Sequence, residues 1–285
     1  MRVLIAGGAG LVGSALAAAC REDEVFALRH RELDITDRSA VDETLQRLRP
    51  DLVFNCAVIG VDECERDPAL AARVNVDGPA ALAAAAERTG ATTVHFSSNY
   101  VFDGGRTDGG FYTTGDEALP INVYGATKLR GEHAVAEAAS RALIVRTSWV
   151  FGSGRESFLG GVAARLARGE RVQAIADTFA STTFVADLVT RTFELVRRGV
   201  PGTYQVVNDG VCSYETFARE AARLVGASEE LIDRTSERRP APRPRWTPMR
   251  CVLSGRLGLP PLRSWQDALA EYVERRVDDR AGDVQ

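Results

Sequence analysis

The sequence predicts an α/β protein in which a doubly wound parallel sheet is accompanied by a smaller α/β region. Short, almost wholly apolar runs recur along the first 150 residues, as expected for strands buried on both faces of a parallel sheet. Helical stretches separate these runs, and a glycine-rich turn joins the first run to the first helix. We therefore expect a dinucleotide-binding Rossmann domain at residues 1–150 and 172–200, and a substrate-binding domain at residues 151–171 and 201–285.

The composition is that of a globular protein, with 45% hydrophobic and 26% charged residues among 285. The net charge of -4, with acids and bases interspersed, argues against nucleic acid and membrane partners. Five widely spaced cysteines without a C-x-x-C pair, and only three histidines, predict neither a disulfide framework nor a metal site. Because no apolar run is long enough for a signal peptide or a membrane span, we expect a soluble cytoplasmic protein.

The first strand is predicted at residues 3–6, and the glycine-rich turn and a helix at residues 14–20 follow it. The glycines fit the pattern G-x-x-G-x-x-G at positions 7, 10 and 13 and the pattern G-x-G-x-x-G at positions 8, 10 and 13. Both patterns provide a tight turn, close approach of the backbone to a pyrophosphate, and packing of the helix on the strand. The predicted cofactor contacts at this turn are Gly7, Gly10, Leu11, Val12 and Gly13.

The second strand is predicted at residues 25–28, and Arg29 follows it about 20 residues past the glycine turn. A carboxylate at this point would bind the ribose 2′-hydroxyl of NAD, whereas an arginine accommodates the 2′-phosphate of NADP. We therefore predict NADPH as the preferred cofactor and NADH as the alternative, although an arginine at a strand end can also be merely solvated. Asp34 and Ile35 are placed to meet the adenine, Asp34 by accepting from its amino group and Ile35 by covering one ring face.

Two further strands are expected to end at the same edge of the sheet. The third, at residues 52–57, carries Cys56 and Ala57 at its carboxyl end, and the fourth, at residues 92–98, ends at Ser98. Open α/β sheets bind their ligands at the carboxyl ends of the strands. We therefore expect all three residues to face the same crevice.

Tyr124 and Lys128 form the pattern Y-x-x-x-K in a helical run that reaches about residue 139. At positions i and i+4 the two side chains lie on one face of the helix. A tyrosine is a poor acid at neutral pH, and we expect the neighbouring ammonium to lower its pKa. The pattern alone is also met by an exposed helix with an incidental aromatic residue and a solvated lysine.

The other predicted elements follow from hydrophobic periodicity and from glycine and proline punctuation. Further helices are predicted at residues 38–49, 67–89, 158–168, 184–198, 214–224 and 265–276, and further strands at residues 143–146, 171–175 and 202–207. Between them lie a glycine-rich loop at residues 103–111 and a Pro/Arg-rich segment at residues 238–248, and a polar tail occupies residues 278–285.

The motifs together resemble the extended short-chain dehydrogenase/reductases and, more narrowly, the dTDP-4-dehydrorhamnose reductase family. Besides the glycine turn and the Y-x-x-x-K pattern, the resemblance is carried by residues 33–37, 49–55, 74–75, 97–104, 120–128 and 146–151. It runs from Met1 to about residue 273. The chain departs from the family pattern at Leu11, where glutamine is usual, at Asn99, where aspartate is usual, and in the proline-rich segment near residues 243–247.

The resemblance implies hydride transfer from NADPH to the C4 carbonyl of a nucleotide-linked 4-keto-6-deoxyhexose. Tyr124 would donate the proton, Lys128 would hold the nicotinamide ribose, and Ser98 would hydrogen-bond the carbonyl oxygen. The resemblance also implies Asn75, Tyr124 and Lys128 as cofactor contacts and Asn99, Tyr100 and Trp149 as substrate contacts. Trp149 is explained almost as well as a core residue. The implied partner is a nucleotide-sugar substrate, and a homodimer is compatible with the resemblance.

Two other functions fit parts of the same pattern. Sugar-nucleotide dehydratases and epimerases belong to the same superfamily, but dehydratases carry an Asp-Glu pair where this chain has Asn99 and Tyr100. The chain also resembles the non-catalytic, NADP-binding regulatory subunit of methionine adenosyltransferase. The presence of Ser98, Tyr124 and Lys128 favours an enzyme.

Overall fold

The computed structural model describes residues 1–154 and 157–282, and a six-stranded parallel sheet forms its centre. The strands are β1 (Arg2–Ala6), β2 (Glu24–Leu28), β3 (Leu52–Asn55), β4 (Thr92–Ser98), β5 (Ala142–Thr147), β6 (Val150–Phe151), β7 (Val172–Ile175), β8 (Phe179–Ala180), β9 (Thr183–Phe184), β10 (Gly202–Gln205), β11 (Ile232–Thr235) and β12 (Trp246–Thr247). The central sheet has the order β10-β5-β4-β3-β1-β2, and the other strands pair as β11-β7, β12-β8 and β6-β9. The predicted α/β class with a parallel Rossmann-type sheet is confirmed.

The strand order reverses between β1 and β3, because β1 lies between β2 and β3. Sheets of this kind bind ligands at the carboxyl ends of the strands beside such a reversal. In the register of the sheet, Asn55 of β3 is level with His95 of β4, and Ser98 of β4 is level with Thr147 of β5. Polar residues from neighbouring strands therefore meet at one edge of the sheet.

Helices cover the sheet, and several of them begin at a residue whose side chain satisfies one of the first amide groups. They are α1 (Leu11–Ala19), α2 (Arg38–Leu48), α3 (Val61–Arg66), α4 (Pro68–Ala72), α5 (Gly78–Thr89), α6 (Val123–Ala138), α7 (Phe158–Ala167), α8 (Val185–Arg198), α9 (Tyr214–Val225), α10 (Val252–Arg256) and α11 (Trp265–Gly282). Asp37 accepts from the Ala40 N–H at the start of α2, and Asn122 accepts from the Gly125 N–H at the start of α6. None of the helices in the described ranges is both long and apolar enough to cross a membrane.

The packing of β1 explains why its sequence is continuously apolar. Val3 and Ile5 belong to the largest buried hydrophobic cluster, whereas Leu4 and Ala6 belong to a second cluster. Successive side chains of a strand point to opposite faces, and all four of these residues have no exposed surface. Helices therefore bury both faces of the sheet, and a continuous apolar run replaces the alternation of a half-exposed strand.

Several elements differ from the predicted ones. β10 pairs with β5 in the central sheet, although the predicted boundary assigns residues 201–285 to the substrate-binding domain. β7 pairs with β11 outside the central sheet, although residues 172–200 were expected in the dinucleotide-binding domain. A short apolar run predicts a strand but not its partner, because the partner is distant in sequence.

Two predicted helices also differ in part from the observed ones. The stretch at residues 67–89 is helical from Pro68 to Thr89, as predicted, but a π-helical turn at Arg73–Asp77 lies between α4 and α5. The last helix continues to Gly282 rather than ending at residue 276. Residues 283–285 of the predicted polar tail lie outside the described residues.

Candidate active site

The glycine turn after β1 depends on glycine for steric reasons. Gly7 has a φ of +79°, and a Cβ there would lie 2.8 Å from the backbone nitrogen of Ala57. A Cβ on Gly13 would overlap the carbonyl oxygen of Gly7 and would force the turn away from α1. The Gly7 and Gly8 N–H groups donate to the Leu28 carbonyl at 3.0 and 2.9 Å. The turn is thus held tightly between the carboxyl ends of β1, β2 and β3.

This turn leaves the start of α1 open to an anion. The N-cap residue is Gly10, which supplies no side-chain hydrogen bond, so no side chain there caps the first amide groups of the helix. Leu11, Val12 and Gly13 form that first turn, where the helix dipole favours negative charge. The glycine residues let the backbone come close to a ligand, and the first amide groups of α1 are free of a side-chain cap at Gly10. Together these two features fit the pyrophosphate of a dinucleotide.

The predicted adenosine contacts lie in the exposed loop after β2. Arg29 is exposed, and its backbone N–H donates to Glu32 at 2.8 Å. Asp34 Oδ1 accepts from the backbone and hydroxyl of Thr36 at 2.9 and 2.8 Å, and the backbone bond is the main cause that lowers the pKa of Asp34. Ile35 is 4% exposed and packs closely against Gly78, which leaves little of its side chain to cover an adenine ring.

Among the other predicted cofactor contacts, Cys56 and Ala57 lie beside the glycine turn, whereas Asn75 is buried against α6. Cys56 and Ala57 follow β3 directly and lie against Gly7, at the strand edge where a cofactor is expected. Asn75 has no exposed surface, and its Nδ2 donates to the Thr127 hydroxyl at 3.1 Å. Asn75 therefore joins the π-helical turn to α6, and its buried Oδ1 has no hydrogen-bond partner among the residues that the structure describes.

A cavity of about 310 Å³ at the ends of β4 and β5 brings together the residues predicted for catalysis and for the substrate, except Lys128. Ser98, Asn99, Tyr100, Tyr124 and Trp149 all line it. A larger cavity of about 850 Å³ lies between α7 and α11 and contains none of these residues. The smaller cavity is therefore the candidate active site.

Tyr124 is held in this cavity as a neutral phenol. Burial raises the pKa of Tyr124 to about 12, the Ser98 hydroxyl acts in the opposite direction, and Cys64 adds to the increase. The expectation that Lys128 lowers this pKa is wrong, because Lys128 is not among the groups that shift it and desolvation of the phenolate is the largest cause. Tyr124 therefore carries its proton at neutral pH, as a proton donor must.

Lys128 lies beneath the cavity rather than in its wall. It is 2% exposed, and its ammonium nitrogen donates to the Phe96 carbonyl at 2.6 Å. Burial lowers the pKa of Lys128 to about 8, and Glu132 is the largest opposing influence. Glu132 itself forms a buried ion pair with Arg146 of β5 at 2.6 Å, which fixes α6 to the sheet.

The helix that carries both residues packs unusually closely on its neighbours. A Cβ on Gly125 would overlap the carbonyl oxygen of Tyr100, and a Cβ on Gly131 would overlap that of Asn75. Asn122 caps the helix with its Oδ1 and donates through Nδ2 to the Pro242 carbonyl at 2.8 Å. Close packing at these glycines and the Asn122 bonds position Tyr124 against the end of β4.

Ser98 and Asn99 are joined to a distant part of the chain. The Ser98 hydroxyl donates to Asn99 Oδ1 at 3.2 Å and accepts from the Tyr100 N–H at 3.2 Å. Asn99 Nδ2 donates to the Thr247 hydroxyl at 2.7 Å, across 148 positions of sequence. Tyr100 meets the Tyr124 ring edge to face, with 5.8 Å between the ring centroids. Asn99 thus couples the candidate catalytic serine to the C-terminal region.

Trp149 has a strained backbone, which marks functional sites more often than ordinary core positions. Its φ is +42°, which a bulky residue rarely adopts. The centroid of its ring lies 4.2 Å from that of Tyr214, and its buried indole Nε1 has no acceptor within the described part of the chain. The core interpretation of Trp149 is therefore weaker than the substrate-binding one, because a buried indole N–H ordinarily finds an acceptor.

Among the other residues that line the cavity, three with aromatic or charged side chains were not predicted as site residues: Tyr214, Arg239 and Arg243. The Arg243 side chain is 3% exposed and pairs with Asp62 at 2.9 Å, while its Nε has no partner in residues 1–154 and 157–282. Arg239 pairs with Glu237 and lies over the Tyr214 ring at 5.9 Å. The Pro/Arg-rich segment at residues 238–248 was the available signal for the two arginines. We call Trp149, Tyr214, Arg239 and Arg243 the distal wall.

The fold and the site together define an α/β dinucleotide-binding protein with the Ser-Tyr-Lys set of the short-chain dehydrogenase/reductases. Within that class, the model of the RmlD substrate binding domain family matches residues 1–277, and the chain belongs to this family. The family expected from the sequence motifs is thereby confirmed.

Similar proteins extend over nearly the whole chain. It is 40% identical over 280 residues to dTDP-4-dehydrorhamnose reductase of Mycolicibacterium smegmatis, covering 95% of this chain and 85% of that protein. It is 38% identical to a probable dTDP-4,6-dihydroxy-2-methyloxan-3-one 4-ketoreductase of Streptomyces antibioticus, covering 95% of this chain and 94% of that protein. A solved dTDP-4-dehydrorhamnose reductase of Bacillus anthracis, in complex with NADP, matches with a TM-score of 0.90 at 31% identity, covering 96% of this chain and 99% of that chain.

Proposed function

We propose that this protein reduces the C4 carbonyl of a dTDP-linked 4-keto-6-deoxyhexose with NADPH. The observation that carries the proposal is that Ser98, Tyr124 and Trp149 line the same cavity. The glycine turn, in which contacts exclude side chains, fits a dinucleotide. The names of the similar proteins support the same substrate class. When bound, the cofactor supplies the hydride, and the residues of the chain supply orientation and the proton.

Tyr124 is the proposed proton donor. Its phenol is neutral at physiological pH because burial holds its pKa at about 12. As negative charge develops on the substrate oxygen, the Ser98 hydroxyl stabilises it and Tyr124 transfers its proton. Lys128, on the same helix face, is proposed to hold the nicotinamide ribose, with its ammonium positioned by the Phe96 carbonyl.

The distal wall supports a sugar linked to a nucleoside diphosphate. Arg239 and Arg243 provide two cations beside two aromatic rings, and guanidinium groups match the geometry of phosphate oxygens. The buried Arg243 Nε and Trp149 Nε1 are donors without partners in the described structure, as expected where a ligand supplies the acceptors. Both arginines also pair with carboxylates, Arg239 with Glu237 and Arg243 with Asp62, and these pairs hold the two guanidinium groups at the cavity wall.

Reduction is favoured over dehydration by the residues next to Ser98. A dehydratase needs a carboxylic acid and a carboxylate at the sugar ring, whereas these positions hold Asn99 and Tyr100. Asn99 is also committed to Thr247, and Tyr100 is 7% exposed with its pKa raised by burial. Neither side chain can exchange protons readily at neutral pH.

The proposal also covers the division of the chain into two parts, a homodimer and the cellular compartment. The dinucleotide-binding part comprises the central sheet with β10 and its covering helices, and the distal wall belongs in large part to the substrate-binding part. A homodimer, which is compatible with the family resemblance, remains part of the proposal. All five cysteines are free, which supports the reducing environment of the cytoplasm.

The proposal is tested by anaerobic mixing of NADPH and the protein with a small panel of dTDP-4-keto-6-deoxyhexoses. Nicotinamide absorbance should fall in proportion to the sugar consumed, and the product should carry a C4 hydroxyl. An epimerase would change the sugar without net loss of NADPH. No change in either cofactor or sugar, together with tight NADPH binding, would support the non-catalytic alternative.

A further inference from the structure

A buried polar row lies beneath the candidate active site and connects three elements: Asn55 at the end of β3, His95 in β4 and Lys128 in α6. Asn55 Nδ2 lies 3.1 Å from His95 Nδ1, and His95 Nε2 lies 3.4 Å from the amino nitrogen of Lys128. The three residues are 1%, 0% and 2% exposed. Because the three groups are buried, the position of the proton on His95 decides which of these two contacts is a hydrogen bond.

The orientation of Asn55 determines the tautomer of His95. The backbone N–H of Ala57 donates to Asn55 Oδ1 at 3.1 Å, so the oxygen of the amide faces Ala57 and its nitrogen faces the imidazole. An amide nitrogen can only donate, and His95 Nδ1 must therefore accept. A neutral imidazole that accepts at Nδ1 carries its proton on Nε2, the atom next to Lys128.

His95 stays neutral in this environment. Burial lowers the pKa of His95 well below its usual value, and the charge of Lys128 acts in the same direction. His95 Nε2 and the amino nitrogen of Lys128, which are 3.4 Å apart, are then both donors and form no hydrogen bond with each other. Lys128 donates instead to the Phe96 carbonyl at 2.6 Å. An ammonium at this point must turn its other N–H groups away from His95.

We propose that His95 is a positioning residue for Lys128: Asn55 holds its imidazole in the Nε2–H tautomer, which presents a donor to Lys128 and directs the ammonium toward the active site. The inference rests on the proposed function, in which Lys128 binds the nicotinamide ribose. A second consequence concerns charge, since the positive end of the Nε2–H dipole disfavours the ammonium.

The other groups around Lys128 are identified by their elements. Glu132 lies on α6, Cys64 on α3 and Cys56 after β3, and all three favour the charged form of Lys128, whereas burial acts against it and holds its pKa at about 8. Because protonated Lys128 is the form that binds the ribose, NADPH affinity should be highest below this pKa and fall as pH rises through it. Removing the Nε2–H donor should move that fall to higher pH.

The tautomer is tested directly by NMR of protein labelled with ¹⁵N-histidine. The chain has only three histidines, and the other two, His30 and His133, are exposed. We expect His95 to give the nitrogen shifts of an Nε2–H ring from pH 6 to pH 9. His133→Gln, on the same helix as Lys128, provides an assignment control. A ring protonated on Nδ1, or on both nitrogens at neutral pH, would overturn the proposal.

The consequence for Lys128 is tested with Asn55→Asp, which is nearly the same size. An aspartate would still accept from Ala57, and it would accept from His95 Nδ1–H, leaving Nε2 as an acceptor for Lys128. The midpoint in the pH dependence of NADPH binding should rise by about one unit. An unchanged midpoint in Asn55→Asp despite a switched tautomer would overturn the proposal. An Nε2–H ring in a wild-type protein that reduces none of the sugars supports this inference and contradicts the proposed function instead.

Discussion

The glycine turn and the distal wall are built in opposite ways. The glycine turn comes from one short stretch between β1 and α1 and depends on backbone contacts that forbid a side chain. The distal wall takes Trp149 from the end of β5, Tyr214 from α9 and two arginines from a loop before β12. The first region is defined by local sequence, whereas the second exists only after distant segments have packed together.

The same contrast separates what the two regions can recognise. Backbone amides and a helix start suit the invariant pyrophosphate of a dinucleotide. Side chains from separate loops suit a variable sugar and its nucleotide, because each can change without disturbing the sheet. Substitutions should therefore affect cofactor and substrate separately.

The largest effect is expected for Gly13→Val. The added side chain would overlap the Gly7 carbonyl oxygen and push the turn away from α1. We expect the Kd for NADPH to rise by about 100-fold, equivalent to about 2.7 kcal/mol, in a titration followed by nicotinamide fluorescence. Gly161→Ala on α7 is the control, because a Cβ there would meet no neighbouring atom. Unchanged NADPH affinity in Gly13→Val would remove the turn from the cofactor site.

A smaller and complementary effect is expected for Arg243→Gln. The loss of a buried, charge-assisted contact to the substrate should raise KM for the sugar nucleotide by roughly 10- to 100-fold. The Kd for NADPH should stay within about twofold, because the glycine turn does not depend on this side chain. The matched control is Arg245→Gln, an exposed arginine in the same segment. A loss of NADPH affinity instead of substrate affinity would contradict the separation of the two regions.

The smallest effect is expected for Arg29→Gln, at the exposed rim of the cofactor site. Removing the charge should reduce the preference for NADPH over NADH by about fivefold in kcat/KM, since exposed ion pairs contribute little. Arg47→Gln on α2 serves as the control for net charge. If the wild-type protein prefers NADH, Arg29 is a solvated residue at a strand end.

The fold was predictable because its signals are local. Apolar runs, the glycine spacing and the Y-x-x-x-K pattern each lie within one short segment. The runs form the central sheet, and the glycine turn and Tyr124 lie at the carboxyl ends of its strands. The contacts that join segments were not predictable in this way. The bond from Asn99 to Thr247 spans 148 positions, and the pairing of β10 with β5 depends on a partner that no local pattern specifies.

The state of Tyr124 was mispredicted for the same reason. The spacing to Lys128 is visible in sequence, but the degree of burial is a property of the assembled cavity. Desolvation raises the pKa of Tyr124 to about 12, and Lys128 is turned toward Phe96 beneath the cavity. A helical spacing identifies the two residues, whereas the packing decides their protonation.

The role of Tyr124 as proton donor is tested most directly by a single-turnover measurement with Tyr124→Phe. Wild-type protein and the variant are mixed anaerobically with NADPH and a dTDP-4-keto-6-deoxyhexose, and nicotinamide absorbance is followed. The rate should fall by roughly 10²- to 10⁴-fold in Tyr124→Phe with unchanged NADPH affinity, because only the proton donor is lost. Tyr204→Phe, whose hydroxyl donates to the Val200 carbonyl far from the cavity, should retain the wild-type rate. A Tyr124→Phe variant that turns over as fast as the wild type would contradict the assigned role of Tyr124.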